Sequence, residues 1–163
     1  IINNDNDQKL LQENEIKPKI KKWKEKNFQI GFTNGCFDLI HSGHIDLLTE
    51  ASKKCDKLIV ALNSDSSVQK IKGKSRPILN LRSRKKLISA LEAVDMVISF
   101  NESTPINLIK KIKPNILIKG ADYKENEIVG STFVKSYNGK IIRINLTKNQ
   151  STTNLIKKIK SIN

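Results

Sequence analysis

Both histidines of this chain fall in one tetrapeptide, His41-Ser42-Gly43-His44, directly after Thr33-Asn34-Gly35-Cys36-Phe37-Asp38-Leu39-Ile40. Residues 28–33 read as a strand, and 42–53 place Ile45, Leu47, Leu48 and Ala51 at helical spacing. A strand, a Gly-bearing turn and a helix start aim several backbone N–H groups at one spot. The positive end of the helix dipole points there too, which makes an anion site. Histidines three residues apart at a helix start share a face. Gly43 between them lacks a Cβ, so a phosphate can approach the backbone. Two imidazoles beside such donors suit negative charge building up on a phosphoryl group.

Other readings of these residues are open to the same spacing. Cys36, Asp38, His41 and His44 could form a zinc set, but the spacing matches no usual finger and no second Cys/His pair exists. The histidines could simply cap a helix, with Asp38 satisfying loop N–H groups. The GxGxxG dinucleotide fingerprint is absent after the first strand.

The elements that must hold this segment follow a βα alternation. Strands are expected at 28–33, 57–63, 94–100, 116–119 and 140–146. Helices are expected at 42–53, at 83–91, from a Thr104 N-cap and Pro105 at N1 through Ile112, and at 151–162. Lys70, Lys72 and Lys74 with Arg76 read as a flexible basic loop around Gly73, fit to cover phosphates. Five strands separated by helices predict an α/β, Rossmann-like, doubly wound five-stranded parallel sheet in a single domain. Its ligand would sit beyond the carboxyl ends of the strands. The domain is expected over 27–163. Before it, 1–26 reads as a polar tail (1–15) and a Lys-rich leading helix that docks Ile20 and Trp23 on the body.

Composition bounds the partner. The chain has 163 residues and a formal charge of +14, which first suggests nucleic acid. Yet 26 of its 30 basic residues are Lys and only four are Arg, while 24 Ile and 17 Asn share the A/T-rich codons of Lys. A reader of base edges would be expected to use more Arg. The excess therefore reads as Lys drift on a solvated surface, with no nucleic acid as partner. No apolar run approaches the ~20 residues of a membrane span. Cys36 and Cys55, without a CxxC, fit a reducing compartment, the cytoplasm.

Asn34-Gly35-Cys36-Phe37-Asp38 followed by His41-Ser42-Gly43-His44 resembles the HxGH nucleotidyltransferase superfamily, which includes cytidylyltransferases and adenylyltransferases. The likeness is greatest to its ADP-heptose synthase branch, the D-glycero-β-D-manno-heptose 1-phosphate adenylyltransferases. Asn63-Ser64-Asp65 through Lys72-Gly73, Ser83-Arg84, Ile118-Lys119-Gly120-Ala121-Asp122-Tyr123 and Ser151-Thr152-Thr153 extend it over about residues 20–160. The resemblance implies adenylyl transfer from ATP to a sugar 1-phosphate, with Mg2+ bound through the nucleotide phosphates. Its catalytic set would be His41, His44, Lys72 and Arg84, with Arg84 on the β- and γ-phosphates. Thr33, Asn34, Gly35, Cys36, Phe37, Gly43, Lys119, Gly120, Asp122, Ser151, Thr152 and Thr153 would bind the nucleotide. As partners it implies a sugar kinase, as an upstream domain or a separate protein, and a second copy of the chain in a homodimer. Ile1 in place of Met fits a piece of a longer chain. Two alternatives stay open: cytidylyl transfer from CTP to glycerol 3-phosphate or a similar ester, and a non-enzymatic, Lys-rich nucleic-acid module.

Overall fold

Side chains that alternate in direction along each buried strand divide the core into two layers, one on either face of a central sheet. In this computed structural model, which describes residues 9–11, 13–145 and 152–162, β1 is Ile30–Gly35, β2 Lys57–Asn63, β3 Met96–Phe100, β4 Ile116–Gly120 and β5 Lys140–Ile144. Ile30, Phe32, Ile59, Ala61, Met96, Ile98 and Leu117 point into one layer; Leu58, Val60, Leu62, Val97, Ile116 and Ile118 point into the other. Strands buried on both faces need continuous apolar runs, and KLIVALN at β2 is one.

The helices are α1 Glu13–Glu25, α2 Ser42–Ser52, α3 Asp65–Lys72, α4 Leu81–Ser89, α5 Ile106–Ile112, α6 Ser131–Lys135 and α7 Thr152–Lys160. Side chains of α1, α5 and α6 fill the first layer, and those of α2 and α4 the second. The sheet order is β3-β2-β1-β4-β5, every pairing parallel. The chain winds outward from β1 to β3, then crosses back to β4 on the other side of β1. The carboxyl ends of β1 and β4 therefore flank the switch point, where such sheets open a crevice.

The leading helix belongs to the body. Ile20 and Trp23 are each only 7% exposed, and each buried side chain of this size contributes about 1.5–3 kcal/mol. Its lysines are partly employed: Lys24 Nζ donates to Ile112 O at 2.7 Å and closes the end of α5. Ahead of it Leu10 bridges Val97 on the edge strand, and Lys9 Nζ donates to Leu91 O. Residues 13–15, expected in the tail, instead form the first turn of α1.

Other expectations need correction. Lys70 and Lys72 lie in the last turn of α3, because the Ser64 hydroxyl accepts from Ser67 N and starts a helix there. Gly73, at φ +96°, ends it. Pro105 is the N-cap of α5 and not its first helical residue, since its carbonyl already accepts from Ile109 N at 2.9 Å. The helix α6 and the 3-10 turn Glu125–Glu127 were not anticipated at all. Among the described residues no helix is long and apolar enough to cross a membrane.

Candidate active site

Beyond the ends of β1 and β4 lies a pocket of about 470 Å3. Its floor is the β1–α2 loop. Phe37 takes a left-handed backbone (φ 46°), which turns its ring inward to 5.1 Å from the His44 ring. A Cβ at Gly35 would stand 3.0 Å from that ring, so a side chain there would crowd it. The loop is clamped by Asp38, which is 1% exposed. Its carboxylate accepts from Arg76 Nε at 2.5 Å, from Ile78 N at 2.8 Å and from Leu79 N at 2.9 Å. Burial alone would push this carboxyl up, but the two backbone donors and Arg76 together hold it below its ordinary value. Asp38 is thus an ionised latch between the loop and segment 76–79.

His41 is the N-cap of α2 and makes no side-chain cap hydrogen bond. By contrast, Ser64 caps α3 and Asn80 caps α4 through their side chains. The α2 opening therefore keeps first-turn N–H groups for something else. Across it the His41 and His44 rings stack, centroids 3.8 Å apart and 25° between planes. The Nδ1 atoms of both are buried without a partner. Burial, then the neighbouring His41, lower the His44 pKa to about 4, and burial lowers that of His41. Both rings are hence neutral at pH 7, so they stack without charge repulsion. Gly43 between them is buried in the pocket wall.

From the other side of the switch point Lys119 reaches over β1, its Nζ donating to Asn34 O at 2.8 Å. Burial lowers its pKa to about 8, against which Asp122 pulls upward. Its Nζ lies 5.3 Å from the centroid of the Tyr123 ring. Cys36 lies in the same wall, and burial raises its thiol pKa. A thiol held neutral in this way suits packing better than nucleophilic attack.

Of the residues singled out in sequence, Thr33, Asn34, Gly35, Cys36, Phe37, His41, Gly43, His44, Lys72, Lys119, Gly120, Asp122 and Thr152 all line this one pocket. Thr152 Oγ1 also donates to Leu39 O at 3.2 Å, tying the start of α7 to the loop. Thr153 follows it in α7. Ser151 lies outside the described residues.

Arg84 does not reach the pocket. It is 0% exposed, and its Nε, Nη1 and Nη2 each donate within the protein, to Leu79 O at 3.0 Å, Cys36 O at 2.6 Å and Asp65 Oδ1 at 2.7 Å. The expectation that it grips phosphates gives way to a bolt behind the wall. Arg76, expected in a phosphate-covering loop, lines the pocket, and so do Asn63, Ser103, Thr104, Tyr123 and Glu127, which carry no site role in the sequence reading. Asn63 ends β2 and Thr104 follows β3, both at the ligand edge, which is a usable signal. Glu127 arrives by the 3-10 turn, and no local pattern announced it.

The arrangement offers neutral imidazoles, ammonium groups and helix-start N–H groups to a polyanion. Comparison with known proteins agrees with that chemistry. The cytidylyltransferase-like family model matches residues 32–158. The bifunctional protein HldE of Nitrobacter winogradskyi is 51% identical over 136 residues, covering 83% of this chain and 28% of that protein. HldE of Paramagnetospirillum magneticum is 48% identical over 140 residues, covering 86% and 29%. The chain thus spans less than a third of the length of these curated relatives. Among solved structures, a lipopolysaccharide core biosynthesis protein from Thermoplasma volcanium superposes with a TM-score of 0.61 at 30% identity, over 76% of this chain and 99% of that one.

Proposed function

The chain belongs to the cytidylyltransferase-like family, and from that membership we propose that it transfers the adenylyl group of ATP to a sugar 1-phosphate, heptose 1-phosphate by resemblance. An oxygen of the sugar phosphate attacks the α-phosphorus and forms the new P–O bond. The bond from that phosphorus to the bridging oxygen breaks, and pyrophosphate leaves with the electron pair. The products are an ADP-sugar and pyrophosphate, a precursor suited to lipopolysaccharide-type synthesis.

The observation that carries this reading is the stacked His41–His44 pair at an α2 start whose cap makes no side-chain hydrogen bond. Each neutral imidazole donates one N–H to a phosphate oxygen, and the triphosphate's charge draws protons onto both rings as it binds. Gly43 and the first turn of α2 then face the α-phosphate, where charge gathers in the transition state. Exposed Lys72, at the end of α3, neutralises the phosphates from the pocket mouth. Lys119 supplies a second ammonium from β4. Gly120 and Asp122 lie toward base and ribose, and Thr152 closes the phosphate end, with Ser151 and Thr153 assigned to the same phosphates by the resemblance alone. Catalysis consists of positioning and charge stabilisation, so no covalent intermediate is required.

Mg2+ fits as a companion of the nucleotide. The phosphate side of the pocket presents imidazole and ammonium groups, and its buried carboxylate, Asp38, is already saturated by Arg76 and two backbone N–H groups. A metal carried by the triphosphate would screen its charge there.

The relatives' bifunctional name and greater length support a sugar kinase as the second activity, fused to this domain or acting as a separate protein. The use of only two cysteines, Cys36 and Cys55, without a CxxC, supports a cytoplasmic setting. The family's description favours one competing reading, cytidylyl transfer, for which the sequence alternative is CTP with glycerol 3-phosphate or a similar small phosphate ester. Pyrophosphate release measured with ATP plus heptose 1-phosphate, against CTP plus glycerol 3-phosphate, separates the two.

A further inference from the structure

A second cleft, of about 1060 Å3, opens between α1 and α5 at the carboxyl end of β3. It shares no lining residue with the catalytic pocket. Ile16 and Ile20 from α1, Leu108 from α5 and Phe100 from β3 give it an apolar floor. Lys17, Lys85 and Lys111 stand around it with a single carboxylate, Glu102. The amides of Asn101 and Asn107 add neutral donors and acceptors. Mixed clefts of this size, apolar below with a few convergent polar groups, are the usual form of a small-molecule site.

Lys85 sets this cleft apart. It reaches in from α4 as a half-buried side chain and has no carboxylate hydrogen-bonded to it among the described residues. Burial lowers its pKa, with no opposing charge to restore it. A cation withdrawn from water without an anion is costly, and a ligand anion would repay that cost. The other wall is firm. Ser67 Oγ donates to Glu102 O at 2.7 Å and accepts from Asn63 Nδ2 at 3.0 Å, so the loop after β3 is fixed to α3 and β2.

We propose that this cleft binds a small organic phosphate, its phosphate on Lys85 and Lys17 and its apolar body over Ile16, Ile20 and Phe100. The site is independent of the catalytic reading, since it rests on different residues. Its loop does continue through Ser103, Thr104 and Pro105 into the catalytic pocket.

Phenyl phosphate, titrated calorimetrically into the full chain, is a direct probe. Saturable 1:1 binding is expected in the His41→Ala/His44→Ala double variant, which separates this cleft from the catalytic pocket. Lys85→Gln should weaken that binding by about tenfold, the loss of one charge-assisted hydrogen bond, and Lys85→Arg should restore it. Phenol and inorganic phosphate, each carrying half of the recognition, should bind more weakly. Lys17→Gln, at the second lysine proposed to hold the phosphate, gives an independent reading should Lys85→Gln fail to fold by circular dichroism. Absence of saturable binding overturns the proposal, as does binding that the lysine variants leave intact or that the histidine variant abolishes.

Discussion

The guanidinium of Arg84 donates through Nη1 to the main-chain carbonyl of Cys36 at 2.6 Å, joining residues 48 positions apart in the chain. Through the same side chain, Asp65 at the head of α3 and Leu79 before α4 are pinned to the loop that precedes His41. A fully buried Arg whose hydrogen bonds to Leu79, Cys36 and Asp65 all stay inside the protein is placed to set the geometry of the loop from behind the pocket wall.

Arg84→Met should therefore destabilise the fold by about 3 kcal/mol, because Asp65 and two carbonyls lose their partner. Chemical denaturation reads this. With ATP saturating, the variant should lower kcat and leave the salt dependence of ATP binding as in the wild type. A direct phosphate ligand would reduce that salt dependence.

Removing His44 should act differently. His44→Ala is expected to cost on the order of 100-fold in kcat, the size associated with one lost donor to a developing oxyanion. Its stability should hold or rise, since the substitution removes a buried Nδ1 that has no partner. Pyrophosphate release and thermal unfolding measured together would show the split.

The pH dependence follows from the same residue. The folded-state pKa of His44, about 4, lies below the ordinary value of 6.5, so protonation favours the unfolded chain. This stability is complete above pH 6.5 and is lost as pH falls toward 4. Urea unfolding between these limits should show a wild-type slope that His44→Ala reduces. ATP binding should draw protons onto both imidazoles, seen near pH 6 as a calorimetric heat that varies with buffer ionisation enthalpy.

Lys119 presents the opposite trade. Its folded-state pKa of about 8 lies below 10.5, so at neutral pH its charge costs stability, and the cost fades as pH rises from 8 toward 10.5. Lys119→Met should raise Tm at pH 7 while weakening ATP affinity. A lowered Tm with unchanged affinity would make Lys119 a structural residue only.

Much of this was readable in the chain, for reasons that are local. β2 runs over 57–63 as its apolar pattern requires, and Lys113, at φ 48°, ends α5 just before Pro114. The loop from Thr33 to His44 could be recognised because its chemistry is contiguous. Arg84 lies behind the pocket wall and not in it because side-chain direction depends on α4 packing against β2, which no local pattern records. Lys72 ends a helix and not the expected loop because the Ser64 side chain caps α3, a cue carried by a single hydroxyl. The second cleft was invisible for a similar reason. Its parts, Ile16, Lys85 and Phe100, come from separate elements and meet only through the fold.

The central claim, adenylyl transfer at the His41–His44 pair, is tested most directly by pyrophosphate release from ATP with heptose 1-phosphate, wild type beside His44→Ala. The expected result is turnover by the wild type that exceeds its turnover with CTP and glycerol 3-phosphate and falls on the order of 100-fold in the variant. Equal turnover in the two proteins, or release only from CTP, would contradict it.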